Sequence, residues 1–549
     1  MSKQSDNNNL KSVQSVRVSS ILQVKEDFKT GGTVPKSGYD LRIYRDPSDG
    51  KLYYPYTFSK TLSHNSLTGM PLKDDVDLLI KAIDTGSQSD INAVPRDIAA
   101  TRKLENLSAG NNFNLGGIDS SSVLSDAKQF TVDTEGGVFQ MAEVYSLSLL
   151  RDVSYIDIEN SSNAIANGHI GYLNAFTDKT TAPLDGMGNI TAKLLHRGIE
   201  PGCEVGPYVS QYLYLPFNYG NIPITQQYNR EPDQEGTTVL ADFLRIQNGE
   251  NHLVSGASTP NQYVNNPRVL GSIVHNDPLY QFYYNAALIS FQNGIGSEFG
   301  GSNTNSSWIS AGGPSILESL ASVSVEALQA AWFHKFQVGL RIRPEVFAQR
   351  LDDVFNESPG SPLLTDCPGY STLRGYTDGK LNMLLAEVRA ANASNSNLLR
   401  LQYPEGSPCH PSTPAGHSLV AGACCTVLKA MLDTVDTSNA VPVSKPWLSG
   451  VIHSVDGTST TAYPNSSAGM TINGELNKLM SNISIARDIS GVHYRTDGQH
   501  LLAEKVAISH LINKCRTFHE SYNGRFQGFT LQKLDGSFVR LTKDGEQSL

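Results

Sequence analysis

Apolar residues recur every three to four positions along much of the chain, most regularly in its second half. Residues with this spacing share one face of an α-helix, so each such stretch predicts a helix with a buried side. The stretches run over 75–84, 136–152, 276–294, 315–341, 380–393, 417–432, 474–490 and 498–512. Helices dominate this pattern, so we expect a mainly α protein.

The segments between these helices predict loops and small β elements. Residues 208–217 are apolar and typical of an extended segment, and Pro, Asn and Gly dominate from there to about 267. Near the C-terminus, Asp535-Gly536 lies between alternating apolar residues, which predicts a β-hairpin because this dipeptide suits a tight turn. Residues 1–20 are mostly polar, so we expect them to form a flexible arm.

The charge balance narrows the range of partners. The 549 residues carry 43 Lys+Arg and 53 Asp+Glu, a net charge of −10. Binding to DNA, RNA or an anionic membrane needs clustered positive charge, so no nucleic-acid partner is expected. No run approaches the roughly 18 to 20 apolar residues of a membrane span, and the polar start lacks the apolar stretch of a leader. We therefore expect a soluble, cytoplasmic protein.

Six cysteines are spread along the chain, and none forms a Cys-x-x-Cys pair. Zinc and redox sites usually need such closely spaced thiols, so neither is expected. The sequence leaves open whether the cysteines form disulfides.

Basic residues and histidines gather in three places. The first holds Lys335, Arg341 and Arg343, directly before Pro344. Because proline disfavours the α conformation of the residue before it, the helix that carries Lys335 is predicted to end near Arg343. The two would then lie roughly 12 Å apart along the axis, close enough to reach one small anion. The alternative is that these cations only complement the negative end of their own helix.

The second place is the segment HPSTPAGH, which begins at His410 and ends at His417. Gly416 lacks a Cβ and lets the backbone approach a ligand, and a helix that starts at about His417 favours negative charge there. These features predict an anion-binding turn with an imidazole that can donate a proton. The alternative is a rigid, proline-rich turn with surface histidines.

The third place holds Arg487, His493, Arg495 and Asp497. His493 and Asp497 are four residues apart, so on a helix they would share a face. Asp497 would then accept the Nδ1 proton of His493 and leave Nε2 free as a ligand or nucleophile. The alternative is an ordinary surface ion pair.

Combined, the three places supply two or three permanent cations, a backbone donor at a helix start and two histidines with different roles. Such a set suits a small tetrahedral oxyanion, because Arg and Lys neutralise its charge and donate directed hydrogen bonds. Phosphate and vanadate are the candidate ligands.

The order of these residues resembles the vanadium-dependent haloperoxidases and the acid phosphatases related to them. That superfamily shares Lys…Arg-Pro, then Pro-Ser-Gly-His, then Ser-Arg-x5-His. The matching residues here are Lys335 to Arg343-Pro344, Pro414 to His417, and Ala486-Arg487 to His493. The extra His410 and the segments RPEVF, GVHYRTDG, VSQYLYLPFNYG and VHNDPLYQFYYNAAL are similar to the bromoperoxidase branch of algae and cyanobacteria. The resemblance covers most of the chain from about residue 200 onward.

The resemblance implies a fold of two four-helix bundles with long loops and small β-hairpins. It implies a single domain over residues 21–549, with a site-bearing core at about 315–515, in a homodimer or larger homo-oligomer. The implied activity is that of a bromoperoxidase. Hydrogen peroxide would oxidise bromide or iodide to hypohalous acid, which halogenates small organic substrates.

The resemblance also implies a vanadate cofactor. His493 would be the axial ligand of vanadium. The vanadate oxygens would be held by Lys335, Arg343, Arg487 and the backbone of Gly416.

Three residues would take part in catalysis. His417 would act as the acid–base residue, Lys335 would polarise the bound peroxide, and His410 would tune halide handling. Asp497 and Ala415 would lie behind the residues that touch the cofactor. Ala415 departs from the family pattern, because it stands where the family has serine.

A second departure is Ala486 in place of the serine before the arginine. The loss of a hydroxyl at Ala415 predicts weaker vanadate retention or a changed halide preference, since a hydrogen bond to a charged group is worth about 1.5 to 3 kcal/mol. Two other functions stay open. One is a phosphatase with His493 as nucleophile and His417 as the acid, and the other is a non-catalytic oxyanion-binding protein.

Overall fold

The computed structural model describes residues 36–111, 120–123, 131–179, 181–251, 257–296, 304, 306–392, 394–438, 441–448, 451–462, 469–521 and 526–549. The predicted arm at residues 1–20 lies outside these ranges.

Helices make up most of the regular structure. In chain order they are α1 Lys73–Thr85, α2 Gln88–Ala93, α3 Glu135–Leu149, α4 Tyr155–Glu159, α5 Ala164–Asn174, α6 Leu240–Gln247, α7 Pro267–Ile273, α8 Gln281–Gln292, α9 Trp308–Ala311, α10 Gly313–Phe333, α11 Pro344–Asn356, α12 Pro362–Asp366, α13 Tyr370–Asp378, α14 Asn382–Ala391, α15 Gly416–Met431, α16 Ile472–Ile489 and α17 His500–Ser521.

The strands are short. They are β1 Tyr44–Arg45, β2 Leu52–Tyr53, β3 Phe217–Tyr219, β4 Ile222–Ile224, β5 Tyr228–Arg230, β6 Thr259–Gln262, β7 Val435–Asp436, β8 Val443–Ser444, β9 Val451–His453, β10 Thr460–Ala462, β11 Phe529–Gln532, β12 Phe538–Thr542 and β13 Gly545–Ser548. Each described sheet is antiparallel and has two or three strands. The hairpin predicted around Asp535-Gly536 is the β11–β12 pair, to which β13 adds a third strand.

Helices α10, α15, α16 and α17 form the first four-helix group. Helix α15 lies at its centre and contacts the other three. Every residue of α15 except His417 is buried, and so is every residue of α16. A helix that is buried on all sides is an interior helix, so these two form the middle of the protein.

A second group of four helices packs beside the first. Helices α3 and α13 each contact both α11 and α14, and α3 also contacts α16 in the first group. One continuous core of buried apolar side chains runs through both groups. The prediction of a mainly α fold with small β-hairpins is confirmed. The division into an arm and a single domain over 21–549 stays a prediction.

Several element boundaries differ from those predicted. Residues 208–217 do not form one extended segment, because Gln211–Leu213 makes a 3₁₀ turn that the side chain of Ser210 caps. Helix α8 begins only at Gln281, so Asn276 and Asp277 lie in the loop before it. Helix α17 continues beyond the predicted end at 512 to Ser521.

All six cysteines are buried free thiols, which answers the question that the sequence left open. None of the helices in the described ranges combines the length and the apolar character needed to cross a membrane. The cytoplasmic location stays a prediction.

Candidate active site

The residues that the sequence singled out lie at one end of the first helix group. Helix α10 ends there, α15 begins there and α16 ends there. Two backbone hydrogen bonds join the connecting loops: Ser412 N–H donates to Arg341 O at 3.1 Å, and Ala415 N–H donates to Asp497 O at 2.7 Å. Three stretches that are far apart in the sequence therefore lie side by side.

Lys335 and Arg343 do not lie on one continuous helix, which corrects the prediction. After α10 the chain makes a π-helical turn over His334–Gly339, and Leu340 then adopts a left-handed conformation with a φ of 54°. Arg343 is extended and directly precedes Pro344, the first residue of α11. The alternative of a helix-dipole role also fails for Arg343, because it stands at the positive start of a helix.

The turn before α15 is buried and held by a cation. His410 is 7% exposed, so the alternative of a surface histidine is wrong for it. The Nζ of Lys335 donates to the carbonyls of Pro411 at 2.8 Å and Ser412 at 2.9 Å. An ammonium group has three N–H donors, so one remains for a ligand.

Helix α15 begins at Gly416. A Cβ at this position would lie 3.2 Å from Cδ1 of Leu328 and 3.6 Å from Cζ3 of Trp332, both on α10. Close packing of α15 onto α10 therefore explains the glycine better than approach to a ligand. The first N–H groups of a helix have no acceptor within the helix, so this end still suits an anion. The part of Gly416 in binding stays a prediction.

A tight turn after α16 brings Arg487 and His493 together. Gly491 has a φ of 83°, and the N–H of Val492 returns to the carbonyl of Arg487 at 3.1 Å. A Cβ at Gly491 would approach Cδ2 of Leu401 to 2.8 Å. Both the left-handed conformation and this close approach require glycine.

His493 and Asp497 contact each other as predicted, although not on a helix. His493 lies just before a 3₁₀ turn at Arg495–Asp497, and its Nδ1 is 2.9 Å from Oδ2 of Asp497. Their side chains are 2% and 0% exposed, so the alternative of a surface ion pair is wrong. Asp497 also accepts from Nη1 of Arg341 at 2.9 Å and from the hydroxyl of Ser412. Burial alone would raise the pKa of Asp497, but Arg341 and His493 hold it well below its usual value.

The guanidinium of Arg343 contacts two histidines. Its Nη1 lies 2.9 Å from Nε2 of His493, and its Nη2 lies 2.9 Å from Nδ1 of His410. Its other hydrogen bonds go to the carbonyls of His410 and Val492. Because a guanidinium only donates, the Nε2 of His493 must be unprotonated. His493 therefore carries its proton on Nδ1, which faces Asp497, and presents a lone pair at Nε2.

Three cations are buried around this lone pair. Lys335, Arg343 and Arg487 are 0%, 1% and 3% exposed. In the part of the chain that the structure describes, none of the three forms a salt bridge with a carboxylate. The Nε of Arg487 is buried without an acceptor. Buried cations without a carboxylate in direct contact are costly, so these three favour a bound anion.

The pKa values show the same excess of positive charge. Burial, and then the charge of Arg343, lowers the pKa of Lys335 well below its usual value. Burial also lowers the pKa of Arg343 to about 10. Burial and the nearby cations lower the pKa values of His410 and His493 well below the usual value, so both imidazoles are neutral. An anion here would offset these shifts.

His417 is the second residue of α15 and is partly exposed to solvent. It is the one residue of α15 that is not buried, and its side chain is 31% exposed. Its Nε2 lies 3.0 Å from Oδ1 of Asp277, which belongs to the loop before α8. Burial, and then the charge of Arg487, lowers the pKa of His417, whereas the bond to Asp277 opposes that shift. A carboxylate accepts, so Nε2 carries the proton and Nδ1 is free to take up another.

The two alanines that depart from the family pattern have different surroundings. Ala415 is the N-cap of α15 and provides no side-chain hydrogen bond. Ala486 is buried in the last turn of α16, where its carbonyl accepts from the N–H and hydroxyl of Ser490. Only the first alanine leaves helix-start donors without a cap.

Two cations of the sequence clusters bind other side chains instead of joining the three buried cations. Arg341 contacts Asp497, Thr496 and Gln140. Arg495 pairs with Glu143 of α3 and so joins the two helix groups.

Sequence reasoning missed two residues beside the site. Asp277 lies at the start of the helix predicted over 276–294, yet it is the hydrogen-bond partner of His417. The ring of Trp332 lies 4.7 Å from that of His410 and 5.8 Å from Nζ of Lys335. The segment VHNDPLYQFYYNAAL already pointed to the neighbourhood of Asp277, but no local spacing indicates its partner.

These groups fit an oxyanion that contains a metal. The N–H of Arg343 and the Nε2 lone pair of His493 satisfy each other at 2.9 Å. A plain anion would use only N–H donors. Vanadate would use both groups, because its oxygens accept from cations and its metal accepts a lone pair.

Comparisons with known proteins agree with this reading of the donor set. No family model matches the chain. The chain is 28% identical to the vanadium-dependent bromoperoxidases of Corallina pilulifera and Corallina officinalis, over 93% of this chain and 95% of each relative. A vanadium-dependent bromoperoxidase of Ascophyllum nodosum is also 28% identical, over 74% of this chain and 72% of the relative.

A solved structure has the same fold. It is the homohexameric second vanadate-dependent bromoperoxidase of Ascophyllum nodosum, which matches with a TM-score of 0.80 and 24% identity. The match covers 99% of this chain and 91% of that chain.

Proposed function

We infer that the chain belongs to the vanadium-dependent bromoperoxidase family and is a haloperoxidase, an enzyme that acts on hydrogen peroxide. The observation that carries this inference is the buried Nε2 lone pair of His493, which lies among three cations that have no carboxylate partner. The cations alone would suit any small oxyanion. The lone pair adds a metal ligand, and the relatives with this activity match nearly the whole chain.

We propose that vanadate is the anion. Lys335 has one N–H to offer, Arg487 has its Nε, and the start of α15 at Gly416 has uncapped N–H groups. Arg343 would turn the N–H that now faces His493 toward an oxygen. Together these donors compensate a multiply charged anion in a buried site.

His493 would hold the metal through Nε2. Asp497 keeps the proton on Nδ1 and fixes the plane of the ring, which orients the lone pair. Arg341 and Ser412 in turn hold the carboxylate of Asp497. When bound here, vanadate supplies a Lewis-acidic centre that activates hydrogen peroxide toward a halide without a change in oxidation state.

His417 would move the proton of the incoming peroxide. It is neutral at the start, since burial and Arg487 lower its pKa, so it can accept a proton at Nδ1. Asp277, at 3.0 Å from Nε2, would stabilise the resulting imidazolium. The partial exposure of its side chain supports this role, because a proton taken up there can pass to solvent.

Lys335 would donate to the oxygen that is attacked by halide, using its third N–H. Burial and then Arg343 lower the pKa of Lys335, and a bound anion would oppose that shift. His410 and Trp332 lie next to Lys335 and would line the approach of bromide or iodide. The products would be hypohalous acid and halogenated small organic molecules.

We also propose that the protein works as a homo-oligomer. The solved structure that shares its fold is described as homohexameric. The N-terminal arm and the single domain over residues 21–549 belong to this proposal.

One assay separates the candidate functions. The apo-protein is incubated with orthovanadate, hydrogen peroxide and bromide, and bromination of a phenolic dye is followed. Turnover that requires vanadate and is suppressed by phosphate supports the haloperoxidase. Hydrolysis of phosphate esters that vanadate inhibits would indicate the phosphatase instead, and inactivity in both assays would indicate a non-catalytic oxyanion-binding protein.

A further inference from the structure

Behind Arg487, three loops contribute one ionisable side chain each, Glu231, His275 and Glu405, which we call the His275 clamp. The Nδ1 of His275 contacts the carboxylate of Glu231, and its Nε2 lies 2.5 Å from Oε1 of Glu405. Burial alone would lower the pKa of His275, but the two carboxylates raise it to about 9. The imidazole is therefore charged at neutral pH and holds both carboxylates.

The clamp fixes the ring of Tyr403. The rings of His275 and Tyr403 are stacked, with centroids 3.9 Å apart and planes 8° apart. Tyr403 is buried, and its hydroxyl donates to the carbonyl of Gly271 at 2.8 Å and lies 2.9 Å from the hydroxyl oxygen of Ser490. The two carboxylates set the plane of the imidazole, and the stack passes that orientation to the phenol ring.

Arg487 contacts Val274 and Tyr403, the two residues that the clamp holds in place. Its Nη1 donates at 2.7 Å to the carbonyl of Val274, the residue before His275. The same nitrogen lies 3.3 Å from the hydroxyl of Tyr403, and the guanidinium carbon lies 5.0 Å from the centre of that ring.

The loop of the clamp also carries Asp277. This residue follows His275 by two positions, and its carboxylate is the partner of His417. One short stretch, Val274 to Asp277, therefore presents a carbonyl to Arg487 and a carboxylate to His417.

We propose that the His275 clamp positions Arg487 and Asp277, so that Glu231, His275 and Glu405 are positioning residues of the site. Among the contacts described above, none joins a clamp residue directly to His493 or to the three buried cations. The proposal rests on the proposed function. Groups bonded directly to a metal ligand typically contribute about 10- to 100-fold to metal binding, and the clamp acts one contact further out, so we expect an effect at the lower end of that range.

The test measures anion binding rather than turnover. Full-length apo-protein is titrated calorimetrically with orthovanadate and, separately, with inorganic phosphate. His275→Gln removes the charge and the stacked ring, and we expect vanadate affinity to fall by about tenfold and phosphate affinity to fall with it.

The matched control is His510→Gln. His510 is also buried and lies 3.1 Å from Glu326, but this pair joins α10 and α17 away from Arg487. Its loss should lower the thermal midpoint and leave vanadate affinity within about twofold. Glu405→Gln keeps an acceptor for His275 and serves as a milder second variant, for which we expect a smaller loss of affinity in the same direction.

A double-mutant cycle separates positioning from general damage. If His275 acts through Arg487, then His275→Gln in an Arg487→Lys background should change vanadate affinity by less than about twofold. Fully additive losses, or equal affinities of the wild type and both clamp variants, would overturn the clamp alone. A wild-type apo-protein that binds neither anion would overturn the proposed function and the clamp with it.

Discussion

Replacing Ala415 by serine should strengthen the binding of vanadate. Ala415 is the N-cap of α15, a position where Ser, Thr, Asp and Asn are favoured because their oxygen accepts from the second or third N–H of the helix. Alanine has no such oxygen, so the N–H groups of His417 and Ser418 begin the helix without a side-chain cap.

The magnitude follows from the two bonds that a single hydroxyl can make. Its oxygen would accept from the N–H of Ser418 while its proton is donated to the anion. The cap should stabilise the apo-protein by about 1 kcal/mol. The bond to the anion should add about 1.5 to 3 kcal/mol to binding, which is roughly tenfold to hundredfold in affinity.

Two measurements separate these effects. Thermal unfolding of the apo-protein reports the cap, and calorimetric titration with orthovanadate reports the bond to the anion. Ala486→Ser is the matched control, because it makes the same chemical change next to Arg487 but inside α16, and it should leave vanadate affinity unchanged. An Ala415→Ser variant with unchanged vanadate affinity and an unchanged ratio of bromide to iodide oxidation would contradict this prediction.

Three further predictions concern the histidines and their support. His493→Ala should abolish vanadate binding, whereas His417→Ala should keep much of it and lose turnover; equal losses of binding in calorimetry would refute these roles. Asp497→Asn leaves buried donors without their charged acceptor, so we expect about 3 kcal/mol lower stability and at least about tenfold weaker vanadate binding, and unchanged values in both would contradict the orienting role. The pKa values of His410 and His493 lie well below the usual value in the folded protein. The unfolded chain therefore takes up protons first as pH falls below about 6.5. Below that pH, the free energy of unfolding of the apo-protein should fall by up to about 1.4 kcal/mol per pH unit for each histidine. His410→Gln should flatten this acid-side decline of the thermal midpoint, and an unaltered slope would contradict the assignment.

Local spacing predicted the interior helices closely. The prediction for 417–432 compares with α15 at Gly416–Met431, and that for 474–490 compares with α16 at Ile472–Ile489. Both helices carry apolar residues at helical spacing, end at clear breaks and are buried, so pattern and tertiary structure favour the same conformation.

Local spacing did not predict that the helix ends between Lys335 and Arg343. Leucine rarely adopts a left-handed conformation, so nothing in the local sequence marks Leu340. The conformation is held by bonds to residues near and far: Leu340 N–H donates to Lys335 O at 2.8 Å, and Phe58 N–H donates to Leu340 O at 2.9 Å. The two cations still converge, but through a turn instead of along a helix.

Spacing likewise predicted the site contact between residues near in sequence but not the one between distant residues. The spacing of His493 and Asp497 predicted the right pair for the wrong reason, because a 3₁₀ turn at Arg495–Asp497 brings four-residue neighbours together as a helix would. Asp277 and His417 are 140 residues apart, so no spacing rule connects them. Contacts of this kind depend on how helices pack, which a single sequence does not specify locally.

The most direct test of the central claim is the bromination rate of the apo-protein as vanadate is added in known equivalents, with peroxide and bromide in excess. If Lys335, Arg343, Arg487 and His493 form one vanadate site per chain, the rate should rise in proportion and level off at one equivalent, and His493→Ala should show no rise. A rate that does not depend on vanadate, or one that His493→Ala leaves intact, would contradict the account.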